Sequence, residues 1–182
     1  MIGFTYNETH SNVYGIYSKT ENRPLLPTMT PKYISVPGRN GIYDFGDNTY
    51  EPRIIELTLK YKGTSYDNLR SKAREIAYWL NGQTEKKLVF DDETDKYYMC
   101  KIYSDVGLSN LFRVGECTVQ FLCNPPFAIS TTLRTTTATV TASGDVITVS
   151  SSGTAATPSV FFVYNDGLSA ISTFSITRET LV

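Results

Sequence analysis

Alternation is clearest at residues 54–62, where Ile55, Leu57, Leu59 and Tyr61 fall on one side of an extended chain and Glu56, Thr58, Lys60 and Lys62 on the other. A period of two with one apolar side predicts a β-strand with one face on a core and one in water. The period then changes. Leu69, Ala73, Ile76 and Leu80 recur at helical spacing with Arg70, Lys72 and Arg74 off the stripe, which predicts an amphipathic helix lying on a sheet. Thr64 or Ser65 can cap its free amides, Asp67 suits the positive end of its dipole, and Gly82 provides the stop. Three more strands are predicted at 88–90, 97–103 and 116–123, the first two joined by the acidic loop Asp91-Asp92-Glu93-Thr94-Asp95-Lys96. Strands, one helix, then strands again predict a mainly β fold: an antiparallel β-sandwich with one packed α-helix.

The pattern shifts at Asn124-Pro125-Pro126, where two prolines remove ladder donors. Beyond position 130 the only charged residues are Arg134, Asp145, Asp166, Arg178 and Glu179, and Ser and Thr dominate. This predicts a first domain at 1–130 and a Ser/Thr-rich second portion at 131–182. Alternation returns there at Val140, at Val146-Ile147-Thr148-Val149 and at Val160-Phe161-Phe162-Val163. With Ser-Gly-Asp and Asn-Asp-Gly turns between them, these predict short strands and a β-rich C-terminal portion.

Composition reinforces the β reading, since 13 Tyr and 9 Phe with one Trp make 13% of the chain aromatic, and aromatics suit pleated, half-buried surfaces. A chain of 182 residues can bury a sizeable core without disulfides. Its 17 basic and 18 acidic residues leave a formal charge of -1, so no general basic field exists to hold nucleic acid. Mean hydropathy is -0.21, and no run approaches the roughly 18 apolar residues of a membrane span. A soluble chain without membrane or specific nucleic-acid partners is expected. The opening Met1-Ile2-Gly3-Phe4-Thr5-Tyr6 carries no secretory signature, which predicts folding in a reducing cytosol. Cys100, Cys117 and Cys123 have no C-x-x-C spacing and read as buried thiols.

Convergent titratable groups are scarce. His10 is the sole histidine, so any Ser-His-Asp or Cys-His arrangement must use it, and a polar residue in a strand or turn is the simpler reading. The carboxylates at Asp91, Asp92, Glu93 and Asp95 could attract calcium, but lack an EF-hand's glycine and distal glutamate. Gly38-Arg39-Asn40-Gly41 lacks phosphate-loop spacing and reads as a turn. Asn7-Glu8-Thr9 matches a glycosylation sequon that means little without secretion. No catalytic residue, metal site or cofactor is expected, and the chain does not read as an enzyme. A carbohydrate-binding module using Tyr97, Tyr98 and Phe162 is the alternative function.

A collinear set of segments then identifies a family resemblance. They are Phe4-Thr5-Tyr6-Asn7 with His10-Ser11 and Tyr14-Gly15, Arg23-Pro24, Val36-Pro37-Gly38-Arg39-Asn40-Gly41, and Tyr50-Glu51-Pro52-Arg53-Ile54. Trp79-Leu80, Leu88-Val89-Phe90-Asp91-Asp92, Tyr97-Tyr98 and Phe121-Leu122-Cys123-Asn124-Pro125-Pro126-Phe127 follow. Together, over residues 1–130, they resemble the N-terminal ring domain of the siphophage distal tail protein (Dit) family. The resemblance implies a structural virion component at the tail tip, made in the cytoplasm of the bacterial host. It implies a homo-hexameric ring that connects the tail tube to the tip, touching the tail-tube protein, the tail-associated tip protein and adsorption or receptor-binding proteins. It also implies a long β-hairpin reaching the neighbouring subunit. Residues 32–62 can form one too long for a small domain to cover, and Gly38, Arg39, Asn40, Gly41 and Tyr43 near its tip are the expected interface. Family members often continue into a galectin-like domain, of which residues 131–182 are too short to be more than a truncated or reduced form.

Overall fold

The computed structural model describes residues 2–46, 49–61, 69–104, 116–155 and 158–178, without the side chains of residues 20 and 69–71. The chain divides into two units, Met1–Thr137 and Ala138–Val182. All strands among the described residues lie in the first: β1 (Phe4–Tyr6), β2 (Thr9–His10), β3 (Ile16–Asn22), β4 (Met29–Thr30), β5 (Tyr33–Ile34), β6 (Tyr43–Asp44), β7 (Thr49–Tyr50), β8 (Arg53–Tyr61), β9 (Lys86–Phe90), β10 (Glu93–Ile102), β11 (Glu116–Cys123) and β12 (Ile129–Ser130). A 3₁₀ turn spans Ser11–Tyr14, and helix α1 spans Leu69–Leu80. The main sheet runs β2-β1-β9-β10-β11-β8-β3, with β12 added on β10. Its ends meet. Ile2, just before β1, donates to the Ser18 carbonyl of β3 at 3.2 Å and accepts from the Ser18 amide at 2.9 Å. The antiparallel sheet therefore curls almost into a barrel, which satisfies edges that would otherwise be open.

Residue pattern explains these elements closely. Ile55, Leu57, Leu59 and Tyr61 of β8 are buried while the residues between them are not, and β11 buries Cys117, Val119, Phe121 and Cys123 in the same way. Helix α1 buries Ala73, Ile76 and Leu80 as its spacing predicts, and adds Trp79. The indole Nε1 donates to the Tyr6 carbonyl at 2.8 Å, and its ring stacks on Tyr14 at 4.8 Å. The proposed caps Thr64, Ser65 and Asp67, and the side chains of Leu69 and Arg70, lie outside the described residues. Gly82 follows the helix end at Leu80 but is no left-handed cap, since its φ is not positive. A Cβ at Gly82 would meet the Thr84 carbonyl at 3.2 Å and the Tyr6 hydroxyl at 3.3 Å, so a side chain there would crowd both neighbours.

Three local expectations change. The acidic loop at 91–96 shrinks to a turn at Asp91 and Asp92, because β10 begins at Glu93. Ion pairing of Glu93 with Lys96 at 2.8 Å and pairing of Lys96 and Tyr97 with β12 keep this polar stretch extended. The long strand β8 pairs along its length with β3, from Ile16 opposite Tyr61 to Asn22 opposite Glu56, so the hairpin has its root at residue 16 and not at residue 32. In the second unit no strand forms among the described residues. Its predicted turns are present: Asp145 Oδ2 accepts from the Thr141 amide at 2.8 Å and the Ala142 amide at 3.0 Å, and Asn165 Oδ1 accepts from the Gly167 amide at 3.0 Å. Its alternating apolar residues stay exposed, Phe162 at 78% and Val146 at 87%, because alternation yields a strand only where a partner supplies both ladder bonds and a surface to cover.

Candidate functional site: an exposed hairpin arm

Beyond Asn22 on one side and Arg53 on the other, the β3–β8 hairpin leaves the sheet as an arm. Its legs are held by two short ladders, Met29 and Thr30 against Tyr50 and Thr49, then Tyr33 and Ile34 against Asp44 and Tyr43. Between the ladders the Phe45 amide donates to the Lys32 carbonyl at 3.1 Å. At the tip Pro37 and Gly38 occupy the centre of a turn closed by the Arg39 amide on the Val36 carbonyl at 3.1 Å. Gly38 has φ +83°, the value a type II turn requires after proline, which no β-carbon tolerates well. Gly38, Arg39, Asn40, Gly41 and Tyr43 all sit at this tip and are all exposed. The Arg39 guanidinium lies 5.9 Å from the Tyr43 ring centroid, and Tyr43 meets Phe45 edge to face at 5.2 Å.

Both faces of the arm are apolar and wet. Neighbouring strand residues point to opposite sides, yet Tyr33 and Ile34 are 56% and 51% exposed. Ile42, Phe45 and Leu25 are exposed as well. An isolated two-stranded ribbon is marginally stable at best in water.

Two arginines anchor the root, one on each leg. Arg23 lies 4.2 Å over the Phe90 ring and pairs with Glu21 at 3.2 Å, Glu93 at 3.7 Å and Asp92 more closely still. Burial opposes its charge, but the Asp92 hydrogen bond and the Glu21 and Asp92 carboxylates prevail and hold its pKa above the ordinary arginine value. Arg53, buried on the other leg, lies 5.4 Å over Tyr98, and Tyr98 meets Phe90 edge to face at 6.3 Å. Both arginines thus rest on one aromatic pair in the core. Tyr50 adds an edge-to-face contact with Phe127 at 5.1 Å. The sequence places a proline beside each arginine, Arg23-Pro24 and Pro52-Arg53, but nothing in the spacing shows that these two dipeptides meet one aromatic pair.

The remaining candidate residues are accounted for structurally. The His10 Nδ1 accepts the Asn12 amide at 3.1 Å, capping the 3₁₀ turn, and so Nε2 carries the proton toward the Asp91 carboxylate at 3.0 Å. Both ring nitrogens are committed, and neither is left to activate a nucleophile. Gly3 allows this pair: a Cβ there would collide with the Asp91 carboxylate and the His10 ring. Asp92 and Glu93 serve Arg23, and no group of three metal-ligating side chains gathers among the described residues. Tyr98 is buried at 6% exposure in the core, while Tyr97 is half-buried with Lys87 4.9 Å from its ring. That removes Tyr98 from any sugar-stacking platform.

Residues 10–123, from the capping histidine to the end of β11 and including the whole arm, match the family of the phage tail protein RIFT-related domain. Among solved structures the chain is similar to Dit of phage SPP1, described as a paradigm of the hub adsorption apparatus of phages that infect Gram-positive bacteria. The TM-score is 0.61 at 15% identity, over 71% of this chain and 52% of that one. The chain therefore spans about half the length of SPP1 Dit, and the likeness is one of fold. No curated protein matches. With the family match running through the curled sheet, its helix and its arm, this chain belongs to the phage tail protein RIFT-related domain family.

Proposed function

We propose that this phage tail protein is a structural ring subunit of the tail tip, six copies closing head to tail with each arm laid on the next subunit. The ring joins the tail tube to the tip and carries adsorption proteins. The observation that carries this reading is the arm itself, apolar on both faces, exposed along its length and held at its base by an arginine on each leg seated over a core aromatic ring. A head-to-tail contact between identical chains generates a closed ring when its rotation allows. Arg39, which has no carboxylate partner among the described residues, supplies a charge-assisted bond to the neighbour. SPP1 Dit, whose fold this chain shares, is a hub protein of an adsorption apparatus, and that supports a tip location.

Replacing residues 31–48 with Asn-Gly tests the reading, because that two-residue turn can join Thr30 to Thr49 across their existing rung. The shortened chain should keep its circular dichroism and melting transition but elute and scatter as a monomer. A hexamer that survives the replacement contradicts the arm's role. A folded monomer of the full chain that binds immobilised glycans supports a sugar-binding module instead.

A further inference from the structure

Cys100 and Cys123 lie far apart in sequence but directly opposite one another on β10 and β11. Both are fully buried and both are free thiols. Their rung is identified by its neighbours: the Tyr103 amide donates to the Gln120 carbonyl at 2.9 Å, and the Asn124 amide to the Met99 carbonyl at 3.2 Å. Hydrogen-bonded and open rungs alternate along an antiparallel ladder, so 100 and 123 form an open rung, where Cα atoms are about 4.5 Å apart and side chains are closest. A disulfide needs Cα atoms about 4.4–6.8 Å apart. The Cys100 thiol is pushed far above the ordinary thiol range, first by a hydrogen bond with Cys123 and then by burial, in keeping with the shared rung. Cys117 is excluded from this pair. It faces Leu59 across the other side of β11, and six extended residues put it about 20 Å from Cys123.

We propose that Cys100 and Cys123 are a latent disulfide site, a dithiol that a low-molecular-weight disulfide oxidises to one cross-strand bond. One protein thiol loses its proton to solvent and attacks the small disulfide, breaking its sulfur–sulfur bond and releasing one small thiolate. The second protein thiol, likewise deprotonated, attacks the mixed disulfide, forming the Cys100–Cys123 bond and releasing the other. Two electrons pass from the protein to the oxidant, and the two small thiolates take up the two protons. Both sulfurs are buried, so the first attack waits on local opening of the β10–β11 end. Cys123 also shares a rung with Arg53, and the bond therefore staples the sheet beside the arm's root. The site depends on the β10–β11 register alone, not on ring assembly.

Full-length Cys117→Ser protein, incubated with excess oxidised glutathione at mildly alkaline pH just below its melting transition, tests this. Its mass should fall by that of two hydrogens with no glutathione retained, and non-reducing digestion should join the peptides 97–101 and 114–134. Its melting midpoint should rise, because the bond restricts the unfolded chain, and fall back on reduction. Cys123→Ser protein treated alike should not lose two hydrogens. Persistence of both thiols in Cys117→Ser, an end product that keeps glutathione, or loss of two hydrogens in Cys123→Ser overturns the proposal.

Discussion

Tyr6 has no exposed surface, yet its hydroxyl has no hydrogen-bond partner among the described residues. The ring belongs there: it meets Phe121 at 5.1 Å and Trp79 at 6.2 Å, both edge to face. Burial, with a smaller contribution from Cys100, pushes its pKa up to about 12. A raised folded-state pKa contributes stability that is complete below the unfolded value of about 10 and is lost as pH climbs toward the folded value. Tyr6→Phe removes both the orphaned hydroxyl and this titration. The variant should be more stable than the parent by about 1 kcal/mol at neutral pH. Its advantage should widen by on the order of 2 kcal/mol between pH 10 and 12. Urea unfolding at several pH values measures this; a variant that is weaker at neutral pH and shows the parent's alkaline decline contradicts the buried, unpaired hydroxyl. Single residues were the hardest scale to read from sequence. Trp79 stands at i+3 from Ile76 and so extends the apolar stripe, but nothing in the stripe shows its bond to the Tyr6 carbonyl, 73 positions away in the chain. The Cys100–Cys123 rung likewise exists only once β10 and β11 are in register.

At the scale of elements, strands with strict alternation were legible to within a residue or two, as β8 and β11 show, because each has one face on the core. β3 was not legible. Its run Tyr17-Ser18-Lys19-Thr20-Glu21-Asn22 is polar, and it is a strand because β8 and Ile2 supply ladder partners on its two sides. The arm was legible as an excess of hairpin, but its root was not, since Arg23, Arg53, Phe90 and Tyr98 come from four separate segments. That root carries a prediction. Arg23→Met retains an apolar stem over Phe90 while removing the charge that Glu21, Asp92 and Glu93 share. Hydrogen exchange at the Glu51 amide, which bonds to the Thr28 carbonyl at 2.8 Å, should quicken by about tenfold. The Leu57 amide in the middle of β8 should be unaffected. Equal acceleration at both sites would show that Arg23 supports the whole sheet and not the arm.

For the molecule as a whole, every helix and strand among the described residues lies before position 131. The second unit exposes Val160, Phe161, Phe162 and Tyr164. We therefore expect residues 1–137 alone to fold, melt and assemble as the full chain does, and limited proteolysis to cut first after position 130. First cleavage within β10 or β11 contradicts that division. The proline pair and the fall in charge place a boundary near position 130 in the sequence, seven residues before the division at Thr137, whereas the apolar alternation beyond it predicts strands that do not form among the described residues. The family match over residues 10–123 establishes a phage tail protein, and the arm turns that into a claim about assembly. Measuring the mass of the purified full chain by light scattering, with electron microscopy of the same sample, tests that claim most directly. The account predicts six copies in a closed ring at micromolar concentration, and a stable monomer across the same range would contradict it.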